Sequence, residues 1–389
     1  MSGADLRGAA AGYGRAAAGF TSALVRDLAG GAKNGLVAGG RFVENWLLGS
    51  KHALYGLAVT RILLALTGMG LLISNYSTRL YTFGSGSAWN GEAAQPLSDF
   101  PQIWIFSLFH RLALNDLAFT LAYLSLFGLA VLLLLGWRTK IVLPVYFVMW
   151  VSFIEMNASV GDQGDNMYRI VLMSLLFADT AARWSFDAGR RADSSTHTGS
   201  WLQRKWRGEA LMPLWLTNLF HNLVLVVVTC HVSFVYASGA LYKASGAPWQ
   251  QGYAIYNPLQ TQRFGTWPEL SDLLGTWAPA VAAVSWASII LQMFFPMMLL
   301  QRFTRVIALV GIGGFHVGIA VLMGLPWFSL AMIAIDAIFI RDVTWRAMAN
   351  RVRTGWDAAR GQERARGAPD ETVDDEVSHA DAAPVRTNA

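Results

Sequence analysis

Cysteine is nearly absent from this 389-residue sequence, and charge is scarce. The lone Cys230 excludes an internal disulfide and argues against a cysteine-based metal site. Charged residues make up 14%, where soluble domains carry roughly 25%. Hydrophobic residues reach 54%, with 16 Trp and 21 Phe, and aromatic side chains collect at membrane–water interfaces. The first 30 residues hold Asp5, Arg7, Arg15, Arg26 and Asp27 with no uninterrupted apolar run. No signal peptide is therefore expected. The net charge of +5 does not point to nucleic acid, because the basic residues are distributed by topology.

That topology is written in apolar runs at 54–74, 116–135, 139–158, 166–182, 214–241, 278–300, 303–323 and 327–340. A crossing needs about 20 apolar residues; the last run is the shortest. Lys and Arg concentrate on the cytoplasmic side of a membrane. With eight alternating crossings, 24 basic residues fall on the side of both termini and four on the other (Arg79, Arg111, Lys243, Arg263). The expected fold is an all-α membrane protein. It is a bundle of about eight transmembrane helices with an outward-facing polar cavity, in the cell membrane, with both termini cytoplasmic. Phe100–Leu114, opened by Pro101 and interrupted by His110 and Arg111, reads as an interfacial or re-entrant piece on the outer face. The domain reading is a Gly/Ala-rich tail with an interfacial turn (1–52), a transmembrane domain (53–340), a basic amphipathic interfacial helix (341–360) and a disordered charged tail (361–389). No internal repeat of the kind transporters carry is present.

Polar groups at membrane depth each need a partner or a purpose. In the fifth run Asn222, Thr229, Tyr236 and Lys243 recur every seven residues, with Asn218 and Ser233 between. A seven-residue step drifts only about 20° around a helix, so these side chains form one stripe. Two readings stand: helix–helix hydrogen bonding or the wall of a cavity. Lys243 is either an interfacial lysine snorkelling to headgroups or a base. Arg169, one turn after Asp165, fits a helical ion pair, and Asp179–Arg183 repeats the spacing. Arg61 and Asp336 fall at similar depths in antiparallel runs, which suggests a buried pair. His316 follows a glycine-rich stretch. His221 and His231 do not share a helix face, so no metal site is expected.

Several segments carry a resemblance. They are Thr-Arg-Ile-Leu-Leu-Ala-Leu (60–66), Gly-Asp-Asn-Met-Tyr-Arg (164–169), Trp-Ser-Phe-Asp (184–187) and Pro-Leu-Trp (213–215). Ser-Gly-Ala-Leu-Tyr-Lys ending at Lys243 follows, with Trp249, Gly252 and Tyr253, then Phe-His-Val-Gly (315–318) and Gly-Leu-Pro-Trp-Phe-Ser (324–329). In this order, over roughly residues 53–340, the chain resembles the HTTM (horizontally transferred transmembrane) domain family, which includes the vitamin K-dependent γ-glutamyl carboxylase. In that relative an outer-facing lysine deprotonates a hydroquinone, and Lys243 is the matching position. His316 matches a histidine of the seventh-span region. The resemblance implies a quinol of vitamin K or menaquinone type as cofactor, Lys243 and His316 as catalytic residues, and Asp165, Asn166, Arg169 and Tyr236 lining the site. The chain departs from the carboxylase at Asn166, where the relative has histidine. The relative also carries a large extracytoplasmic domain after the spans, whereas here 49 residues follow residue 340 and are expected on the cytoplasmic side. A second branch of similar architecture assists maturation of a secreted peptide toxin with a small partner protein. The implied function is action on a quinol or maturation of an exported peptide; the alternative is a non-enzymatic chaperone or export partner for a small secreted protein.

Overall fold

A computed structural model describes residues 33–35, 37–90, 98–193, 212–261 and 266–367. All regular elements among them are helical. The main ones are α1 (Leu54–Ser74), α2 (Asp116–Leu135), α3 (Thr139–Ile154), α4 (Gln163–Leu175), α5 (Leu214–Ser245), α6 (Ala278–Met298), α7 (Arg302–Leu322) and α8 (Pro326–Asp336). Five of them, α1, α2, α5, α6 and α7, are long and apolar enough to cross a membrane. The others are shorter. α3 has 16 residues, α4 has 13, and α8 has 11 before a 3-10 turn at Ala337–Phe339. The apolar run at 166–182 stays helical only to Leu175 and then breaks into turns. Residues 100–112 form three short helical pieces rather than a long helix. A last helix, α9 (Asp342–Gly367), belongs to a separate compact unit and runs past the boundary read at 360. Within it Val343, Met348, Val352 and Trp356 are exposed. Residues 1–32 of the expected N-terminal tail, and 368–389 of the expected disordered one, lie outside the described residues.

α1 packs against both α2 and α8. In lipid no hydrophobic force draws helices together, so packing rests on close van der Waals contact and interhelical hydrogen bonds. Three glycines of α1 allow that approach. Gly56 admits the backbone of Ala337 and Ile338, Gly68 admits the hydroxyls of Tyr146 and Tyr168, and Gly70 admits the ring of Trp327. Hydrogen bonds follow the same contacts. Tyr168 donates to the Leu64 carbonyl at 2.7 Å and lies 2.8 Å from the Tyr146 hydroxyl. Thr60 donates to the Ala334 carbonyl at 2.8 Å. The rings of Trp150, Tyr123, Phe153 and Tyr168 complete a buried aromatic core.

The α2–α3 turn is held from a distance. Gly136 (φ +65°) ends α2, and Arg138 (φ +49°) begins α3. The Asp187 carboxylate accepts from the backbone N–H of Arg138 and of Thr139, each at 2.8 Å, an N-terminal cap supplied by the short helix Phe186–Asp193. Arg61, 1% exposed, donates to the Trp184 carbonyl at 2.6 Å. The expected Arg61–Asp336 pair is therefore not formed. Depth was read correctly, since Gly56 and Thr60 of α1 touch Ala334 and Ala337 of the last run. Azimuth was not: Arg61 points to the α2–α3 turn, and Asp336 points to α5.

The stripe on α5 divides into two parts. Its first part clamps the segment that leads into α1. Asn222 Nδ2 lies within hydrogen-bond reach of the carbonyls of Trp46, Leu47 and Ser50 at 2.8–3.0 Å, and its Oδ1 accepts from His52 N at 3.1 Å. Asn218 donates to the Leu48 carbonyl at 2.9 Å. His221 bridges the His52 carbonyl and the Asp179 N–H. The helical Asp179–Arg183 pair is replaced by Lys51–Asp179 at 2.9 Å and Arg191–Asp179 at 3.6 Å. For Asn222→Ala we expect a loss of about 2–4 kcal/mol, since several part-buried backbone groups lose their partner at once. Thermal unfolding of detergent-solubilised protein would measure it, and an unchanged midpoint would contradict the clamp.

Candidate functional site

The second part of the stripe is different in kind. α5 has 32 residues, about 48 Å at 1.5 Å per residue, so it outruns the roughly 30 Å hydrocarbon core. Tyr236 and Lys243 occupy its C-terminal third on one face. Lys243 Nζ donates to Gln292 Oε1 of α6 at 2.7 Å. The amine also sits 4.9 Å from the centre of the Trp249 ring and 5.0 Å from that of Phe315. Among the described residues no carboxylate pairs with it. A neutral oxygen and two aromatic faces hold this amine.

Two turns earlier, Tyr236 joins three helices. Its hydroxyl donates to Asp336 Oδ2 of α8 at 3.0 Å and lies 3.1 Å from His316 Nε2 of α7. A phenol has one proton, so with that proton on the Asp336 bond, His316 donates from Nε2. His316 Nδ1 and Asp336 Oδ1 are then left buried without a partner. Phe295, Phe315 and Phe328 surround the triad. No basic side chain pairs with Asp336 among the described residues. The arrangement is a short polar chain in an apolar sleeve, with one buried atom on His316 and one on Asp336 unpaired among the described residues.

A family model for the HTTM domain matches residues 51–345. The chain belongs to the HTTM family. No curated protein and no solved structure matches it. Against this HTTM fold, most of the motif segments read as scaffold. In 164–169, Gly164 packs on Phe328, and Asp165 closes a capping box with Asp162 at the start of α4. Asn166 accepts from Arg169 at 2.8 Å, and Tyr168 reaches α1. The expected Asp165–Arg169 helical pair gives way to a tertiary one: Arg169 pairs with Glu155 and lies over the Phe100 ring at 4.6 Å. In 184–187, Trp184 accepts from Arg61 and Asp187 caps α3.

The residues expected to line one site in this HTTM chain thus fall into two groups. Lys243, Tyr236, His316 and, newly, Asp336 gather between α5, α6, α7 and α8. Asp165 instead lines a cavity of about 240 Å³ bounded by α1, α3, α4 and the start of α8. Phe328 separates the two, lining the cavity while its ring centre lies 5.7 Å from that of His316. Asn166 and Arg169 are bound to one another beside Glu155. Sequence reasoning missed Gln292, although a lone amide inside the apolar run 278–300 was a usable signal.

Proposed function

We propose that this HTTM protein crosses the cell membrane eight times with both termini cytoplasmic, and that it acts at the Lys243 end of α5 on a quinol or an exported peptide. The distribution of basic residues supports the topology, because eight crossings place 24 on one side and four on the other. One observation supports the chemistry above the others: the Lys243 amine has Gln292 and two rings for company and, among the described residues, no carboxylate. An amine tied into an ion pair would be committed to that partner. Here it remains available to take a proton from a bound hydroxyl.

The residues present suit a quinol. Lys243 offers a hydrogen-bond partner for a ring hydroxyl, and Trp249 and Phe315 offer aromatic faces. A quinol, when bound, supplies acidic hydroxyls and reducing electrons. Two turns below Lys243, Tyr236 links His316 to Asp336 by hydrogen bonds, and a bound group reaching that far would find Asp336 Oδ1 and His316 Nδ1 unpaired. Asp165 serves the substrate side from the neighbouring cavity, with Asn166 and Arg169 held together beside Glu155 at its edge.

The test is Lys243→Ala in nanodiscs, following oxidation of reduced menaquinone and the mass of the exported peptide. A positioned proton acceptor contributes about 10²–10⁴ in rate, so activity should fall by at least about a hundredfold while the gel-filtration profile is unchanged. Full activity in Lys243→Ala would sink the assignment. A chaperone or export partner is the competing function, favoured by Leu241 and Tyr242 standing 61% and 81% exposed beside Lys243. It predicts a small protein that co-purifies equally with wild type and Lys243→Ala.

A further inference from the structure

At the other end of the bundle, beside the α2–α3 turn, a small cleft gathers Arg138, Lys140, Arg190 and Arg191 with Thr139 and Thr180. Its free space is about 20 Å³, room for one oxygen-sized group, so a larger ligand would seat a single oxygen inside and keep the rest at the mouth. The two threonines are 3% and 1% exposed, and neither hydroxyl has a hydrogen-bond partner among the described residues. An unpaired buried hydroxyl costs about 1–3 kcal/mol. Two of them in one cleft mark a place built for something that hydrogen-bonds.

The charge around them defines what that is. Among the described residues Asp187 is the only carboxylate lining the cleft, and it is already used: it caps α3 through two backbone N–H groups and pairs with Arg190. Lys140 donates to the Ala178 carbonyl at 3.0 Å, one use of an ammonium that carries three protons. Arg190 Nε is buried without an acceptor. Hydroxyl, ammonium and guanidinium donors therefore line one cleft: of its four cations, Arg190 pairs with Asp187 and Arg191 with Asp179, which sits between the lining residues Ala178 and Thr180, and Arg138 and Lys140 complete the set. That is the chemistry of an oxyanion site. Ile141 and Pro144 of α3 also line the cleft, and both are exposed, so its mouth opens onto an apolar helix surface.

We propose that this cleft binds the phosphate of an anionic phospholipid headgroup, with Thr139 and Thr180 donating to a phosphate oxygen and Lys140 and Arg190 balancing its charge. The apolar flank at Ile141 and Pro144 would meet the acyl chains. Basic pockets between transmembrane helices commonly hold such headgroups. This assignment is independent of the chemistry at Lys243 and needs only that the helices sit in a bilayer.

The experiment is native mass spectrometry of the full-length protein, delipidated in detergent and titrated with phosphatidylglycerol or phosphatidylcholine. Wild type should retain phosphatidylglycerol in preference, and Lys140→Gln and Thr180→Val should each weaken that retention about fivefold to tenfold. Thr180→Val keeps the side-chain shape and removes an unpaired hydroxyl, so the lipid-free variant should fold at least as well as wild type. It therefore gives the answer even if Lys140→Gln does not fold. Displacement of the lipid by millimolar inorganic phosphate would support the same donor set and assign it to soluble phosphate. Equal retention of the two lipids, or a preference unchanged in both variants, would overturn the proposal.

Discussion

Gly136→Ala is expected to yield almost no monodisperse protein. Gly136 sits at φ +65°, where a residue with a Cβ is strained by about 1–2 kcal/mol. The larger cost is steric. A Cβ at this position would overlap the Arg61 guanidinium and the Ser185 side chain. Arg61 is almost wholly buried and cannot retreat into water, so its bond to the Trp184 carbonyl would be lost. A charged hydrogen bond contributes about 1.5–3 kcal/mol, and stranding a buried charge costs about 3–5 kcal/mol. Those terms overlap, yet together with the strain they reach several kcal/mol against a typical total of about 5–15. The check is fluorescence-detected gel filtration of Gly136→Ala, Gly136→Asn and Gly136→Ala/Arg61→Met. Asparagine tolerates the backbone conformation, so Gly136→Asn should fail as badly as alanine if the clash dominates. The double variant, with the guanidinium removed, should recover part of the loss. Recovery by asparagine alone would show that backbone strain was the cause.

Gly68→Ala carries the second large effect. Alanine is normally favoured over glycine inside a helix by about 1 kcal/mol, so propensity alone predicts stabilisation. Packing reverses the sign. The added methyl would overlap the Tyr146 hydroxyl and press on that of Tyr168, with Trp150 behind them. All three rings are within 1% of full burial, which leaves no direction for relief. Overpacking costs about 1–3 kcal/mol, and the Tyr146–Tyr168–Leu64 chain of hydrogen bonds would be broken, at about 1 kcal/mol for each. A net destabilisation of roughly 2–4 kcal/mol is expected from these terms, measurable as a lowered thermal midpoint. A raised midpoint would contradict the packing.

These sites also show what the sequence could convey. Apolar runs locate helices well where lipid-facing and core-facing residues are both apolar: 303–323 became Arg302–Leu322, and 278–300 became Ala278–Met298. They fail where a run leaves the helical path, as after Leu175, because hydropathy records burial and not backbone geometry. Heptad spacing identified the polar face of α5 but could not say what faced it. Asn222 meets a segment about 170 positions away, whereas Tyr236 meets His316 and Asp336. Depth counting put Arg61 and Asp336 at one level, yet it carries no azimuth, and the two diverge. The helical Asp165–Arg169 spacing lost to a capping box and to Glu155, since local pairing contributes only about 0.2–0.5 kcal/mol. Asp187 was visible only as the last letter of a motif; its role as a cap needs the fold.

The central claim is that the Lys243 end of α5, with Tyr236, His316 and Asp336, is a binding site rather than a packed polar seam. A density map of the protein extracted with its native lipids tests this most directly. The account predicts ring-shaped or peptide density against Lys243 and Gln292, reaching toward the open atoms His316 Nδ1 and Asp336 Oδ1. A dry seam there, with those atoms closed onto protein groups, would contradict it.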